Sequence, residues 1–118
     1  MLDLQVEEAH GKRFKYLNAP VHLLSVILST KSRRSTLSYA IENLFKPLNF
    51  SRYTWQNDKQ GFHNGAADLK LTSRDLAKIG QLMLQKGRSG DNQLISKKWI
   101  EYISNKKFTL YTTRCVGI

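Results

Sequence analysis

Ten consecutive residues, Ala19 to Leu28, read APVHLLSVIL, which is apolar on nearly every face of a helix and interrupted only by His22 and Ser25. A helix of this kind has to be covered on most of its sides. In a chain of 118 residues that demand is heavy, because small domains bury a smaller fraction of their surface than large ones do. Either the rest of the chain wraps this segment, or the segment belongs to the helical part of something larger.

The remaining punctuation predicts an otherwise ordinary helical chain. Asn18 is the expected N-cap of the apolar helix, and Pro20 is tolerated in a first turn, where its missing N–H would lack an intrahelical partner anyway. The polar segment TKSRRS ends that helix. A second helix is predicted from about Thr36 to Lys46, with Leu37, Ala40, Ile41, Leu44 and Phe45 at helical spacing and Pro47 as its stop. Residues 48–71 read as one long irregular loop, a length that marks a functional or a large ordered connection. Thr72 and Asp75 form a capping box for a third helix, in which the hydroxyl accepts the Asp75 amide and the carboxylate reaches back to the cap amide. Leu71 and Leu76 stand at the flanking staple positions, and Gly87 is placed to end that helix in the left-handed conformation. SGDN predicts a turn. Ser96 caps a fourth helix, with Ile95 and Ile100 as its staple and Trp99 and Ile103 on its apolar face. Met83 and Trp99 read as core. The expected division is a leader over residues 1–15, a domain over 16–104 and a tail over 105–118 that begins a strand.

Composition narrows the function classes. Lys+Arg 19 against Asp+Glu 9 gives +10, spread as KR, KSRR, KGR and KK pairs, which fits a solvated basic surface better than one dense binding block. Tyr53, Trp55 and Phe62 interleave with Arg52 and Lys59 in the manner of a base-stacking surface. No helix-turn-helix, zinc finger or RNA-binding signature accompanies them, so nucleic acid is not the expected partner. Cys115 is the one cysteine, which leaves no disulfide within the chain and no cysteine-ligated zinc. His10, His22 and His63 lack metal-binding spacing, and no cofactor is expected. The start MLDLQVEEAH carries acidic residues where a signal peptide has basic ones, and no apolar run reaches the length of a membrane span. A soluble protein is expected, its compartment left open.

Four stretches carry a resemblance. GKRFKYLNAPVHLLSVIL, ENLFKPLNF, GAADLKLTSRDLAKIGQLMLQKGR and QLISKKWIEYIS, in this order and spacing from Gly11 to Ser104, resemble the serine beta-lactamase-related hydrolases. That superfamily spans class C beta-lactamases, D-alanyl-D-alanine carboxypeptidases, and esterases and amide hydrolases such as the 6-aminohexanoate-dimer hydrolases, and is largely bacterial and penicillin-binding-protein-like. The resemblance implies a mainly α chain: a partial helical subdomain of the beta-lactamase-like α/β fold, with about four helices and one long irregular loop. It also implies that Tyr16 and Asn18 are the tyrosine and asparagine of the Y-x-N motif. The tyrosine would help a lysine activate a serine and pass a proton to the leaving group, and the asparagine would orient that lysine and the substrate carbonyl. A phenol becomes a useful base only where neighbouring cations favour its ionised form and the site is shielded from water.

Three departures qualify the inheritance. The S-x-x-K serine of the family lies upstream of Y-x-N, and no serine precedes Tyr16 here; SNKK, Ser104 to Lys107, fits by letter but lies downstream at a helix end. The K-T-G or H-x-G element is missing from its downstream place, and HNG at His63 to Gly65 precedes the DLAKIG helix that it should follow. Pro20 and Val21 stand where relatives usually carry glycine and an aromatic residue. The expectation is a fragment of a hydrolase of small amides, esters or peptides that keeps Y-x-N without the nucleophile, is inactive alone, and docks to the missing half of the domain with apolar surface left bare. The rival reading is a small basic helical binding protein without catalysis.

Overall fold

The computed structural model describes residue 9 and residues 11–105. Most of the expected leader, His10, Cys115 and the expected strand of the tail lie outside these residues. Residues 13–17 carry no regular structure and lead into helix α1, Asn18–Ser32. Leu17 is the extended residue before the first turn (φ −139°, ψ 138°), and no side chain caps the helix. Asn18 is therefore the first helical residue and not the expected N-cap. A cap side chain must sit on the extended residue itself, and the asparagine comes one position too late. The helix also outruns its apolar stretch by a turn, where the Thr30 hydroxyl donates back to the Val26 carbonyl at 2.8 Å. Arg33 ends it in the left-handed conformation (φ 55°), its amide returning to the Ser29 carbonyl.

Ser35 caps α2, Thr36–Ala40, by accepting from the Ser38 amide. The predicted continuous helix then widens into a π-helical turn, Ile41–Phe45, with the Lys46 amide bonded to the Ile41 carbonyl at 2.9 Å. Pro47 supplies the reason: in an α register its ring would press on the carbonyl four residues earlier, and a wider turn relieves that contact. The widened turn delivers Phe45 into the core, 2% exposed, where its ring lies 4.8 Å from that of Phe50 and 4.9 Å from that of Tyr53.

The stretch expected as an irregular loop contains an antiparallel ribbon. Strands β1, Tyr53–Trp55, and β2, Leu69–Leu71, pair with Tyr53 opposite Leu71 and Trp55 opposite Leu69, and Asn57 bridges His63 further along. Thr72 caps α3, Ser73–Leu84, accepting from the Asp75 amide at 3.1 Å as predicted. The Asp75 carboxylate departs from the capping-box expectation. It reaches across to the Ser51 amide and hydroxyl, both at 2.9 Å, and to Lys78 Nζ at 2.9 Å. A single buried aspartate thus ties the segment after the π-helical turn to the start of α3.

The end of α3 is displaced by one residue from its prediction. Lys86, not Gly87, is the first left-handed residue (φ 54°), with its amide on the Met83 carbonyl and the Gly87 amide on the Leu82 carbonyl. These are the two bonds of a Schellman motif. A lysine in that conformation bears the Cβ strain that a glycine lacks. Lys86→Gly is expected to raise stability by about 0.5–1 kcal/mol, read as a higher urea midpoint with an unchanged slope. SGDN forms its turn inside a hairpin of β3, Arg88–Ser89, and β4, Asn92–Gln93. Ser96 caps α4, Lys97–Ser104, through the Trp99 amide at 3.2 Å.

Leu48, Leu82 and Ile100 join Phe45 as the buried apolar side chains among the described residues. Trp99 is not core: it is 53% exposed and stacks on Tyr102. Met83 is half-buried.

Helix α1 reverses the usual polarity. Its buried side chain is Ser25, whereas Val21, Leu23, Leu24 and Ile27 are exposed, Leu24 to 65%. At 3.6 residues per turn His22, Ser25 and Ser29 share the side that faces the rest of the chain, and Leu17, Val21, Leu24 and Leu28 share the opposite one. The coverage that its composition demands is not supplied by the described residues.

Candidate active-site edge and the polar seam behind it

Tyr16 stands two residues before α1 in extended chain, 80% exposed, and Asn18 opens the helix, also exposed. Phe14 and Leu17 are exposed neighbours of Tyr16 in sequence, and Asn18 is at helical spacing from His22, Ser25 and Ser29, on the polar side of α1. Nothing in the described residues encloses the phenol.

Behind this edge lies a seam of directional bonds that joins α1 to the loop after β1. His22 Nε2 lies 2.9 Å from Asp58 Oδ2, and its Nδ1 accepts from the Gly65 amide at 3.2 Å. Because an amide can only donate, Nδ1 is the unprotonated nitrogen and Nε2 carries the proton that goes to Asp58. The Asp58 carboxylate also accepts from the Phe62 and Gln60 amides. The Phe62 bond does most to hold its carboxyl below the ordinary range, with His22 and Gln60 adding and partial desolvation opposing. One turn on, the Ser25 hydroxyl donates to the His63 carbonyl at 2.7 Å, and the Thr36 hydroxyl donates to the Ser25 carbonyl at 3.0 Å. His63 is itself buried, its Nδ1 3.1 Å from the Trp55 carbonyl, while the Trp55 indole donates to the Asn64 carbonyl at 2.7 Å.

Asp58, His22 and Ser25 have the composition of a catalytic triad without its geometry. Both nitrogens of His22 are committed, to Asp58 and to Gly65, so none is left to take a proton from Ser25. The Ser25 hydroxyl is buried and spent on a backbone carbonyl. A triad serine needs its base in hydrogen-bond reach and an approach for substrate. The seam is structural, and HNG at His63 to Gly65 serves it as loop chemistry. The sequence reading passed over Asp58 altogether and took His22 and Ser25 as interruptions. Their helical spacing of three on one side of α1 was the available signal. Among the described residues no three His, Cys, Asp or Glu side chains stand together as a metal site, and no helix is long and apolar enough to cross a membrane.

Two solved structures share this arrangement of elements. A protein assigned as a 6-aminohexanoate-dimer hydrolase, from Bacillus anthracis, superposes with a TM-score of 0.80 at 24% identity over 86% of this chain. The octameric penicillin-binding protein homologue from Pyrococcus abyssi superposes with a TM-score of 0.70 at 22% identity, again over 86% of the chain. The chain has the helical part of the beta-lactamase-like fold. It spans 26% of the length of the first protein and 27% of the second, about a quarter of each. No family model and no curated protein matches it by sequence. At these identities the likeness concerns the fold alone.

Proposed function

We propose that this chain is the Y-x-N-bearing helical part of a serine hydrolase that cleaves a small amide, ester or peptide through an acyl-enzyme, with the nucleophile on a complementary body. The observation that carries the reading is the joint exposure of Tyr16 and Asn18 at the start of α1, a helix whose leucine-rich side the described residues leave uncovered. Likeness in fold to a protein assigned as a 6-aminohexanoate-dimer hydrolase adds support.

Acyl transfer requires a nucleophile, a base beside it and donors for the oxyanion in one fixed geometry. Tyr16 and Asn18 supply one wall. When a body carrying S-x-x-K closes over the start of α1, the Tyr16 phenol is shielded and stands beside a lysine cation, the two conditions that make it an effective proton carrier. Asn18, on the first turn of α1, orients that lysine through its side-chain amide. Separated from such a body, Tyr16 has water around it and no serine to serve.

Two measurements test this. The purified chain is expected not to turn over nitrocefin or p-nitrophenyl esters; turnover that Tyr16→Phe abolishes would show a complete site and overturn the reading. The reading frame on either side is expected to encode S-x-x-K upstream and H-x-G or K-T-G downstream, joined to this frame. In the protein so extended, Tyr16→Phe is expected to lower kcat/KM by about 10²–10⁴-fold, the usual contribution of a positioned proton carrier.

A further inference from the structure

We propose that His22 is an acid-released latch: when its imidazole takes up a second proton, the turn at His63 to Gly65 parts from α1 while Asp58 stays attached. Two bonds of opposite preference meet on this ring. Its Nδ1 accepts from the Gly65 amide at 3.2 Å, which only the neutral ring can do. Its Nε2–H donates to Asp58 Oδ2 at 2.9 Å, a bond that the imidazolium keeps and strengthens. Imidazole is the side chain that ordinarily changes charge between about pH 5 and 8. A proton on Nδ1 sets two N–H donors against each other.

The clash has one outlet. Gly65 lies so close to the helix that a Cβ there would stand 2.6 Å from the Val21 carbonyl oxygen and 3.1 Å from His22 Cα, so the turn can move only outward. The ring cannot swing away, because Asp58 holds its other nitrogen and is itself fixed by the Gln60 and Phe62 amides. Outward movement of Gly65 carries the His63 carbonyl with it and stretches the 2.7 Å bond from the Ser25 hydroxyl. One change of charge thus loosens both bonds that tie this turn to α1. The His22 side chain is 14% exposed, which gives the proton a way in.

The surrounding groups supply no rival switch. Between Asn18 and Thr30, α1 carries no other titratable side chain. The loop packed against it carries Asp58, Lys59, His63 and Asp68, and α2 carries Tyr39. Carboxylates, lysines and phenols ordinarily keep their charge state over this range, and the Phe62 amide above all holds the Asp58 carboxyl below its usual value. His63 differs from His22 in its bonding. Its Nδ1 donates to the Trp55 carbonyl, so a second proton would go to Nε2 and break no bond of the seam.

The test follows the isotope-labelled full chain by NMR from about pH 8 to about pH 5. At the upper end the His22 ring is expected in the Nε2–H tautomer. As pH falls, the protection of the Gly65 amide against hydrogen exchange, corrected for the intrinsic rate, is expected to drop at least about tenfold, with the midpoint of the His22 titration. The Gly87 amide, bonded to the Leu82 carbonyl, is expected to keep its protection. Asp58→Asn is expected to move the release to lower pH, because the imidazolium loses its carboxylate. In His22→Asn the side-chain oxygen replaces Nδ1 as an acceptor that does not titrate, and Gly65 protection is expected to be the same at both ends of the range. An Nδ1–H tautomer at the upper end overturns the latch, as does Gly65 protection that is unchanged through the His22 titration or that follows His63 instead. A loss of equal size in folded His22→Asn also overturns it. The tautomer and the shared midpoint are read on the unmodified chain and stand whether or not the variants fold. The latch is independent of the hydrolase reading, so none of these outcomes bears on the nitrocefin and flanking-sequence tests.

Discussion

Gly65→Ala is expected to destabilise the chain by about 2–4 kcal/mol, although it adds a single methyl group to a loop. A Cβ at this position would lie 2.6 Å from the Val21 carbonyl oxygen, 3.0 Å from Ser25 Cβ and 3.1 Å from His22 Cα. The first two of those neighbours belong to different turns of α1, and the helix backbone cannot yield without breaking its own ladder. The loop has to retreat instead. Retreat stretches the Gly65 amide away from His22 Nδ1 and the His63 carbonyl away from Ser25, so the overpacking cost is joined by loss of buried hydrogen bonds. Urea denaturation provides the measurement. A midpoint equal to that of the unmodified chain would mean that the close approach of loop and helix is wrong.

Asp75→Asn is expected to lower Tm by several degrees at pH 7, with the deficit shrinking in acid. Asp75 is 1% exposed, and burial alone pushes its carboxyl up. The Lys78 ammonium, the Ser51 amide and hydroxyl, and the Thr72 hydroxyl outweigh that and hold it well below its ordinary value of 3.8. A folded-state value below the unfolded one stabilises the native chain above about pH 4 and ceases to do so as pH falls through the folded value. Thermal melts of both chains from pH 7 down to pH 2 should therefore converge from about pH 4 downward. A constant gap across that range would show that the amide is deficient for a reason other than charge. The aspartate was visible in the sequence as one half of a capping box, but its main work, bonding Ser51 across 24 residues, was not.

That contrast describes what local sequence can reveal. Thr72 and Ser96 were legible as caps because their bonds to the amides of Asp75 and Trp99 span three residues. The boundary at Lys86 was missed by one residue because the glycine preference is a statistical tendency of the left-handed position, while the actual bonds place that position one step earlier. β1 and β2 were missed because three-residue strands show no periodicity until each finds the other. The ring of Trp99 was assigned inward on apolarity alone, and in the described chain it stacks on Tyr102 at the surface instead of entering the core.

The assignment of Tyr16 and Asn18 came from resemblance, and the fold is of the kind that resemblance implied. Its geometry came only with coordinates. His22 and Asp58 lie 36 residues apart, and no motif joins them. The leucines of α1 were legible as a face in need of cover. Which side of the helix would be covered was not, since both sides read as mainly apolar and the decision fell to hydroxyl and imidazole groups that satisfy the loop's backbone.

Because those groups bond with fixed direction, α1 cannot roll about its long axis to hide its leucines. A rotation of even one residue would strand Ser25 and His22 in front of the wrong atoms, and greasy contacts alone would impose no such penalty. The helix is thereby keyed at one azimuth before any counterpart arrives, so assembly with one would need translation and registry but no rearrangement inside this chain.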